Sequence, residues 1–365
     1  MRKKGDAVPK SYEITHEILE QVSKLGLSDP DFFIKNQQFI YDLINQKYKG
    51  KVVIKDIRDV DEKGVLIKDS KDAVVKEILQ LEEDDKTRNT VSGYYIRYLS
   101  DTELPIQSCM IMDKKPIQRL HNVIVVDKGV KASMLSGCTL TMGTLRGEHR
   151  SVTEIFLQDG AYLNYTMIHE WGEDTKVYPR TIVHVGKGAK LVYNYINLRR
   201  ASYIQSMPKI LVEEGGVVES NMLLYVDNSN LDLGTEIRLS QHAKAKITSR
   251  AVFKSGKLIS RGRIMGNQKS SGHNSCDVLM LGDGEVQSIP ELVSLSRDAQ
   301  LSHEAAIGKL SDMEIEYLMS RGLTKDEAVS LIVRGFLDTK ILGLSKELSD
   351  ELDDLVKMTT SENLL

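Results

Sequence analysis

Residues 276–304, CDVLMLGDGEVQSIPELVSLSRDAQLSHE, put one thiol, one imidazole and several carboxylates into one stretch. Cys276, His303 and Glu304 are the side-chain types that hold zinc or the iron of an iron–sulfur cluster. Cys276 and His303 stand 27 positions apart, which is no local metal-binding signature, so the fold must bring them together if they act as one site. The competing reading is structural, with Cys276 in the core, His303 capping a helix and Glu304 starting it. Cys138 follows a glycine and precedes a Thr-rich strand, which reads as buried core. His121 and His169-Glu170 lie beside strands, and each reads as a surface pair rather than a catalytic dyad. No phosphate-binding loop ending in Gly-Lys-Ser or Gly-Lys-Thr occurs, so ATP hydrolysis by this chain is not expected.

The composition narrows the setting of these residues. With 49 basic and 52 acidic residues the net charge is -3, which gives no general attraction to nucleic acid or anionic membrane. No run reaches the 18 or so apolar residues of a membrane span, and the start lacks the apolar core of a signal peptide. A cytoplasmic protein is expected. Cys109, Cys138 and Cys276 are too few and too irregular for a disulfide framework. At 365 residues, one large domain with smaller helical ends is expected.

Helical spacing marks residues 12–24, through Ile14, Ile18, Leu19 and Val22. A second amphipathic helix is read after Asp29-Pro30-Asp31, carrying Phe32, Phe33, Phe39, Ile40, Leu43 and Ile44. Residues 51–68 alternate towards strand, through Val52, Val53, Ile54, Val65, Leu66 and Ile67, and residues 73–81 read as helix. A charged run at 82–88 suggests a boundary, so residues 1–91 form a mostly helical region. From about Ser92, short Val-, Ile-, Thr- and Tyr-rich segments alternate with turns. Within them a weak repeat places Gly129, Gly160, Gly188, Gly215 and His242 at intervals of 31, 28, 27 and 27 residues. A repeat of that length without a helix inside it predicts stacked coils of strand, a parallel β-helix over residues 92–305. Asn122–Val126 and Lys209–Val212 have the apolar density of segments buried between coils.

Residues 306–365 read as a helical domain. Ser311-Asp-Met-Glu314 and Thr324-Lys-Asp-Glu327 both fit a capping box. The first helix is expected over 312–321, burying Ile315, Leu318 and Met319 and stopping at Gly322. The second carries Ala328, Leu331, Ile332 and Phe336 as one apolar stripe. A third is expected over 346–358.

Ser302-His-Glu-Ala-Ala-Ile-Gly-Lys309, Tyr317-Leu-Met-Ser-Arg-Gly-Leu323 and Ala328-Val-Ser-Leu-Ile-Val-Arg-Gly-Phe336 resemble the C-terminal signature of the SufB/SufD family of iron–sulfur assembly proteins. Asn274-Ser-Cys-Asp-Val-Leu-Met-Leu-Gly282 is similar to that family's approach to its cysteine, and the resemblance extends over roughly residues 92–344. It implies a mainly β fold: a right-handed parallel β-helix core flanked by α-helical ends and paired through the core as a homodimer or a SufB/SufD-like heterodimer. It also implies a SufC-like ABC ATPase on the C-terminal helices, which points to Tyr317, Leu318, Arg321, Leu331, Ile332 and Phe336 as its contacts.

By the same resemblance, the family's cluster-building residues fall on Cys276, His303 and Glu304. The expected cargo is iron and a transient iron–sulfur cluster, built on a non-enzymatic scaffold. One thiol per chain is poor ligation for a resident cluster, but a twofold pair would present two. No cysteine stands near Arg199-Arg-Ala-Ser-Tyr203, where SufB has a sulfur-accepting one, and Ser302 stands where SufB has glutamate. The resemblance therefore reads as SufB-like in a reduced form, without SufB's long N-terminal extension. Two alternatives remain: a SufD-like subunit that recruits SufC without holding the cluster, and a β-helix carbohydrate enzyme. The latter lacks clustered carboxylates, since Asp277, Asp283 and Glu285 are scattered.

Overall fold

The computed structural model describes residues 25, 27, 30–36, 38–41, 48, 50–60, 91–113, 117–141, 146–197 and 200–337. The strands are β1 (Phe32–Lys35), β2 (Gln38–Tyr41), β3 (Val52–Asp56), β4 (Val91–Ser92), β5 (Tyr94–Tyr98), β6 (Ile106–Met112) and β7 (Ile117–Val126). They continue as β8 (Lys131–Leu140), β9 (Gly147–Leu157), β10 (Tyr162–Glu170), β11 (Thr175–Val185), β12 (Lys190–Asn197), β13 (Tyr203–Ser206) and β14 (Lys209–Val212). The last are β15 (Val217–Val226), β16 (Ser229–Leu239), β17 (Lys244–Phe253), β18 (Gly256–Gly266), β19 (Ser271–Met280), β20 (Gly284–Ser294) and β21 (Gln300–Lys309). Two helices follow, α1 (Asp312–Ser320) and α2 (Lys325–Phe336).

Successive strands alternate between two sheets. The first runs β2-β1-β6-β8-β10-β12-β15-β17-β19-β21 and the second β20-β18-β16-β13-β11-β9-β7-β5-β3, with β14 and β4 alongside. From β5 and β6 onward every neighbour pairs in parallel, giving a β-solenoid of about eight coils. Side chains alternate across each strand, so every second residue enters the lumen between the sheets. On β18 those are Leu258, Ser260, Gly262, Ile264 and Gly266, all buried. The lumen and its lining form one continuous apolar core from Phe32 to Val278.

The repeat read from the sequence has a backbone cause. Gly129, Gly160, Gly188 and Gly215 have φ of 71, 67, 62 and 69°, and His242 takes the same left-handed turn at φ 60°. The amide of each marker donates to a carbonyl one coil further on, as Gly188 N does to Glu214 O at 2.9 Å and His242 N to Lys269 O at 2.6 Å. A Cβ is strained in this conformation, which makes His242 the strained member of the series. His242→Gly is expected to stabilise the chain by roughly 0.5 to 1 kcal/mol, the steric gain being partly offset by a freer unfolded chain. A urea-midpoint comparison checks it.

Several expectations are corrected. The segment after Asp31 is no helix: Phe32, Phe33 and Ile34 are buried in β1, which lies parallel to β6 and antiparallel to β2. Three consecutive apolar residues suit a strand with cover on both faces, and Asn36, at φ 56°, turns the chain there. β3 lies where alternation predicted it, antiparallel to β5. These short antiparallel strands stand at the N-terminal end of the stack, whereas β20 and β21 end it as the outermost parallel strands. Asn122–Val126 is buried throughout, but Lys209–Val212 alternates, with Leu211 exposed. The expected helices at 12–24, 73–81 and 346–358, and Val65, Leu66 and Ile67, lie outside the described residues.

Both tail helices begin at their predicted caps. Ser311 Oγ accepts from the Glu314 amide, and Thr324 and Glu327 form the full reciprocal box. α1 stops at Gly322, at φ 97°, yet buries none of its side chains, and Met319 is exposed. α2 packs on the outer face of the first sheet through Val333 and Leu337, beside Val252, Tyr225 and Leu223. Its buried face follows Val329, Val333 and Leu337 at helical spacing, which turns Leu331 to solvent. Arg250 Nη1 donates to Phe336 O at 3.3 Å, fixing the helix end to β17. No described helix is long and apolar enough to cross a membrane.

Candidate functional site

Parallel register decides which of the sequence-derived residues meet. Cys276 on β19 is the partner of Ala305 on β21, and Asn274 is the partner of His303. Cys276 and Asn274 are both buried in the lumen, so His303 projects to that same side, one strand away and two residues along. Glu304, next in the strand, projects to the opposite face. There its Oε1 lies 3.4 Å from His273 Nε2, while His273 Nδ1 is 2.9 Å from Ser302 Oγ. The His-Glu pair adjacent in sequence is therefore split across the sheet: Cys276 and His303 face the lumen, and Glu304 joins His273 outside.

Burial separates these residues further. Cys276 is 3% exposed and its Sγ donates to Ser260 Oγ at 3.3 Å, which in turn donates to Ser249 Oγ at 3.3 Å. His303 and Glu304 are exposed, because β21 is the outermost strand and no further coil covers it among the described residues. Among the described residues no three metal-type side chains converge within one coordination shell. The thiol is thus a closed position next to an open one. Sequence reasoning missed His273 and Ser260, since both are defined by register and not by any local motif.

The remaining cysteines and histidines behave differently from their sequence reading. Cys138 is buried as expected, and burial pushes the thiols of Cys109 and Cys138 well up. His121 and His169, expected at the surface, are both buried. His121 Nε2 is 2.7 Å from Glu154 Oε1, and His169 Nδ1 is 2.8 Å from Tyr195 Oη inside the lumen. His169 on β10 and His149 on β9 come from opposite sheets and meet in the lumen, with ring centroids 6.2 Å apart, and Trp171 packs against both. Burial lowers His149 to about 3 and His169 well below the usual histidine range, so both are neutral in the folded chain. Only the closing of the two sheets on one lumen joins these rings, which is why no spacing rule revealed them.

The tail offers a different kind of surface. Met313, Tyr317 and Met319 on α1 and Leu331 on α2 are exposed, Tyr317 by 58%. Arg321 lies over the Tyr317 ring and donates to its hydroxyl at 3.1 Å. Of the six expected partner contacts, Tyr317, Arg321 and Leu331 are exposed, while Leu318, Ile332 and Phe336 are half-buried. Exposed large apolar residues on two adjoining helices mark a surface suited to a partner.

Known proteins share this chain's pattern. The family model described as SUF system FeS cluster assembly, SufBD core domain, matches residues 109–336. An iron–sulfur cluster assembly SufBD family protein of Archaeoglobus fulgidus is 36% identical over 297 residues, covering 79% of this chain and 80% of the relative. One from Methanothermobacter thermautotrophicus is 36% identical over 278 residues, covering 74% and 68%. A Pyrococcus horikoshii protein of the same description is 27% identical over 382 aligned positions, covering 98% and 84%.

Proposed function

Because the chain belongs to the SufBD family of iron–sulfur cluster assembly proteins, we propose that it is the scaffold subunit on which the cluster is built before transfer. The observation that carries this reading is the last coil. It sets the Cys276 thiol and the His303 imidazole on one lumenal face at the uncovered end of the solenoid. Iron and sulfide are cargo here, and one thiolate with one imidazole is ligation weak enough to let a cluster leave. β20 and β21 have free outer edges among the described residues, so a second copy pairing there would double the ligands. Glu304 and His273, on the outer face, would meet incoming iron first. Cys276 reaches the cargo only when the last coil opens, and this is the step that a SufC-like ABC ATPase would drive.

The ATPase contact is assigned to the exposed face of α1 and α2. Tyr317→Ala and Leu331→Asp are each expected to weaken binding of the ATPase by about 30-fold or more, as loss of a central apolar anchor does. Titration calorimetry with the purified ATPase reads this, and unchanged affinity in both variants would move the contact elsewhere. The scaffold reading as a whole is tested by the native mass and anaerobic absorption spectrum of the complex. Two copies of this chain with a cluster chromophore are expected, and a monomer that still assembles clusters would refute the paired site.

One observation favours the second reading, a SufD-like subunit that recruits the ATPase without holding a cluster. Cys276 is packed in the core and bonded to Ser260 in the way a structural cysteine is. Cluster yields from Cys276 variants separate the two.

A further inference from the structure

Inside the solenoid, far along the stack from Cys276, His149 is held in one tautomer. Its Nδ1 lies 2.8 Å from Gln118 Oε1. The Gln118 amide nitrogen donates to the carbonyls of Asn36 at 3.2 Å and Ile111 at 3.1 Å, so its oxygen must be the atom that faces the ring. His149 therefore donates from Nδ1 and keeps a bare lone pair on Nε2. That nitrogen is fully buried and has no hydrogen-bond partner. A ring N–H anchored to an oxygen that is itself anchored is how proteins aim a histidine at a metal.

His169 supplies the second imidazole, its Nδ1 fixed by Tyr195 Oη, with the ring centroids 6.2 Å apart. Two imidazoles sharing one ion in a near-linear arrangement have centroids roughly 6 Å apart, given metal–nitrogen bonds of about 2.0 Å. No third histidine, cysteine or carboxylate converges with them among the described residues, which rules against tetrahedral zinc and octahedral iron. The surroundings are soft: Cys138 is the register partner of His169, and its Sγ is 3.7 Å from Met167 Sδ. The Trp171 ring packs against both, its centroid 4.8 Å from that of His149 and 5.5 Å from that of His169. The Tyr195 hydroxyl can accept from His169 Nδ1–H, the tautomer that leaves the Nε2 lone pair of that ring for a metal.

We propose that His149 and His169 form an internal two-coordinate site for a soft closed-shell monovalent metal ion of the Cu(I) class, distinct from the last coil.

The test is anaerobic titration of the full chain with Cu(I) against a chromophoric competitor. It is made in a Cys276→Ala/His303→Ala background so that the last coil contributes nothing, and with incubation over hours because the site is sealed. One retained ion per chain is expected, with X-ray absorption showing two nitrogen scatterers at about 2.0 Å. His149→Gln should weaken binding by more than about 100-fold. His169→Gln, an independent variant in case the first fails to fold, should remove one nitrogen scatterer, and Cys138→Ser should leave binding in place. Unchanged binding in both histidine variants, or sulfur replacing nitrogen in the absorption spectrum, overturns the assignment. A crystal of Cu(I)-treated protein with water bridging His149 Nε2 and the Trp171 indole N–H overturns it equally.

Discussion

Cys276→Ala is expected to lower the cluster content recovered by anaerobic reconstitution with iron and sulfide by at least about tenfold, because thiolates hold iron–sulfur clusters far better than the remaining ligands do. The measurement is iron and acid-labile sulfide per chain, with the visible charge-transfer band as a second readout. The geometry also ranks the other variants. His303 shares the lumenal face with Cys276, so His303→Ala should cost cluster content too, by a smaller factor. Glu304 lies on the opposite face beside His273, so Glu304→Ala should act on iron loading rate more than on final content. Cys109→Ala and Cys138→Ala serve as controls, since their buried thiols are held protonated by desolvation. Equal cluster content in wild type and Cys276→Ala would transfer the chain to the ATPase-recruiting reading.

The second large effect concerns acid. His149 titrates near 3 when folded and near 6.5 when unfolded, so between those values the unfolded chain binds a proton that the folded chain refuses. Stability is therefore full above about pH 6.5 and falls as pH drops, by about 1.4 kcal/mol per pH unit for each such histidine. Burial pushes His169 the same way, and the neighbouring His149 adds to it. Urea midpoints measured between pH 7 and pH 4 should fall with a slope that His149→Gln reduces by about one proton. A variant slope equal to wild type would mean that the imidazole is not held neutral by its lumenal setting.

Much of the solenoid was legible because its turns demand one backbone conformation. The marker turns are left-handed and favour glycine, so their spacing gave the length of a coil before any strand was placed. Cap chemistry was equally local, so α1 and α2 began where Ser311 and Thr324 said they would. What was not legible depended on cover. Phe32 and Phe33 fit a helical stripe as well as a doubly covered strand, and only the neighbour β6 decides between them. The exposed side of α2 likewise depends on how the helix rotates onto the first sheet, which turned Leu331 outward and Val333 inward. At the site, Cys276 and His303 were found as chemical types, but the split between His303 and Glu304 follows from β alternation at that one position. The His149–His169 pair lay beyond any reading of spacing, because its members meet only across the lumen, from opposite sheets.

The two ends of the stack differ, and that difference limits assembly. A solenoid bare at both ends would add copies head to tail without stopping and grow into a fibre. Here β2 and β3, short and antiparallel, occupy the N-terminal end, and only β20 and β21 present long parallel edges. In the proposed pairing, each chain would cover the other's long parallel edges. The polarity of the fold would then act as a chain terminator, closing the assembly at two copies and leaving the short antiparallel strands outward.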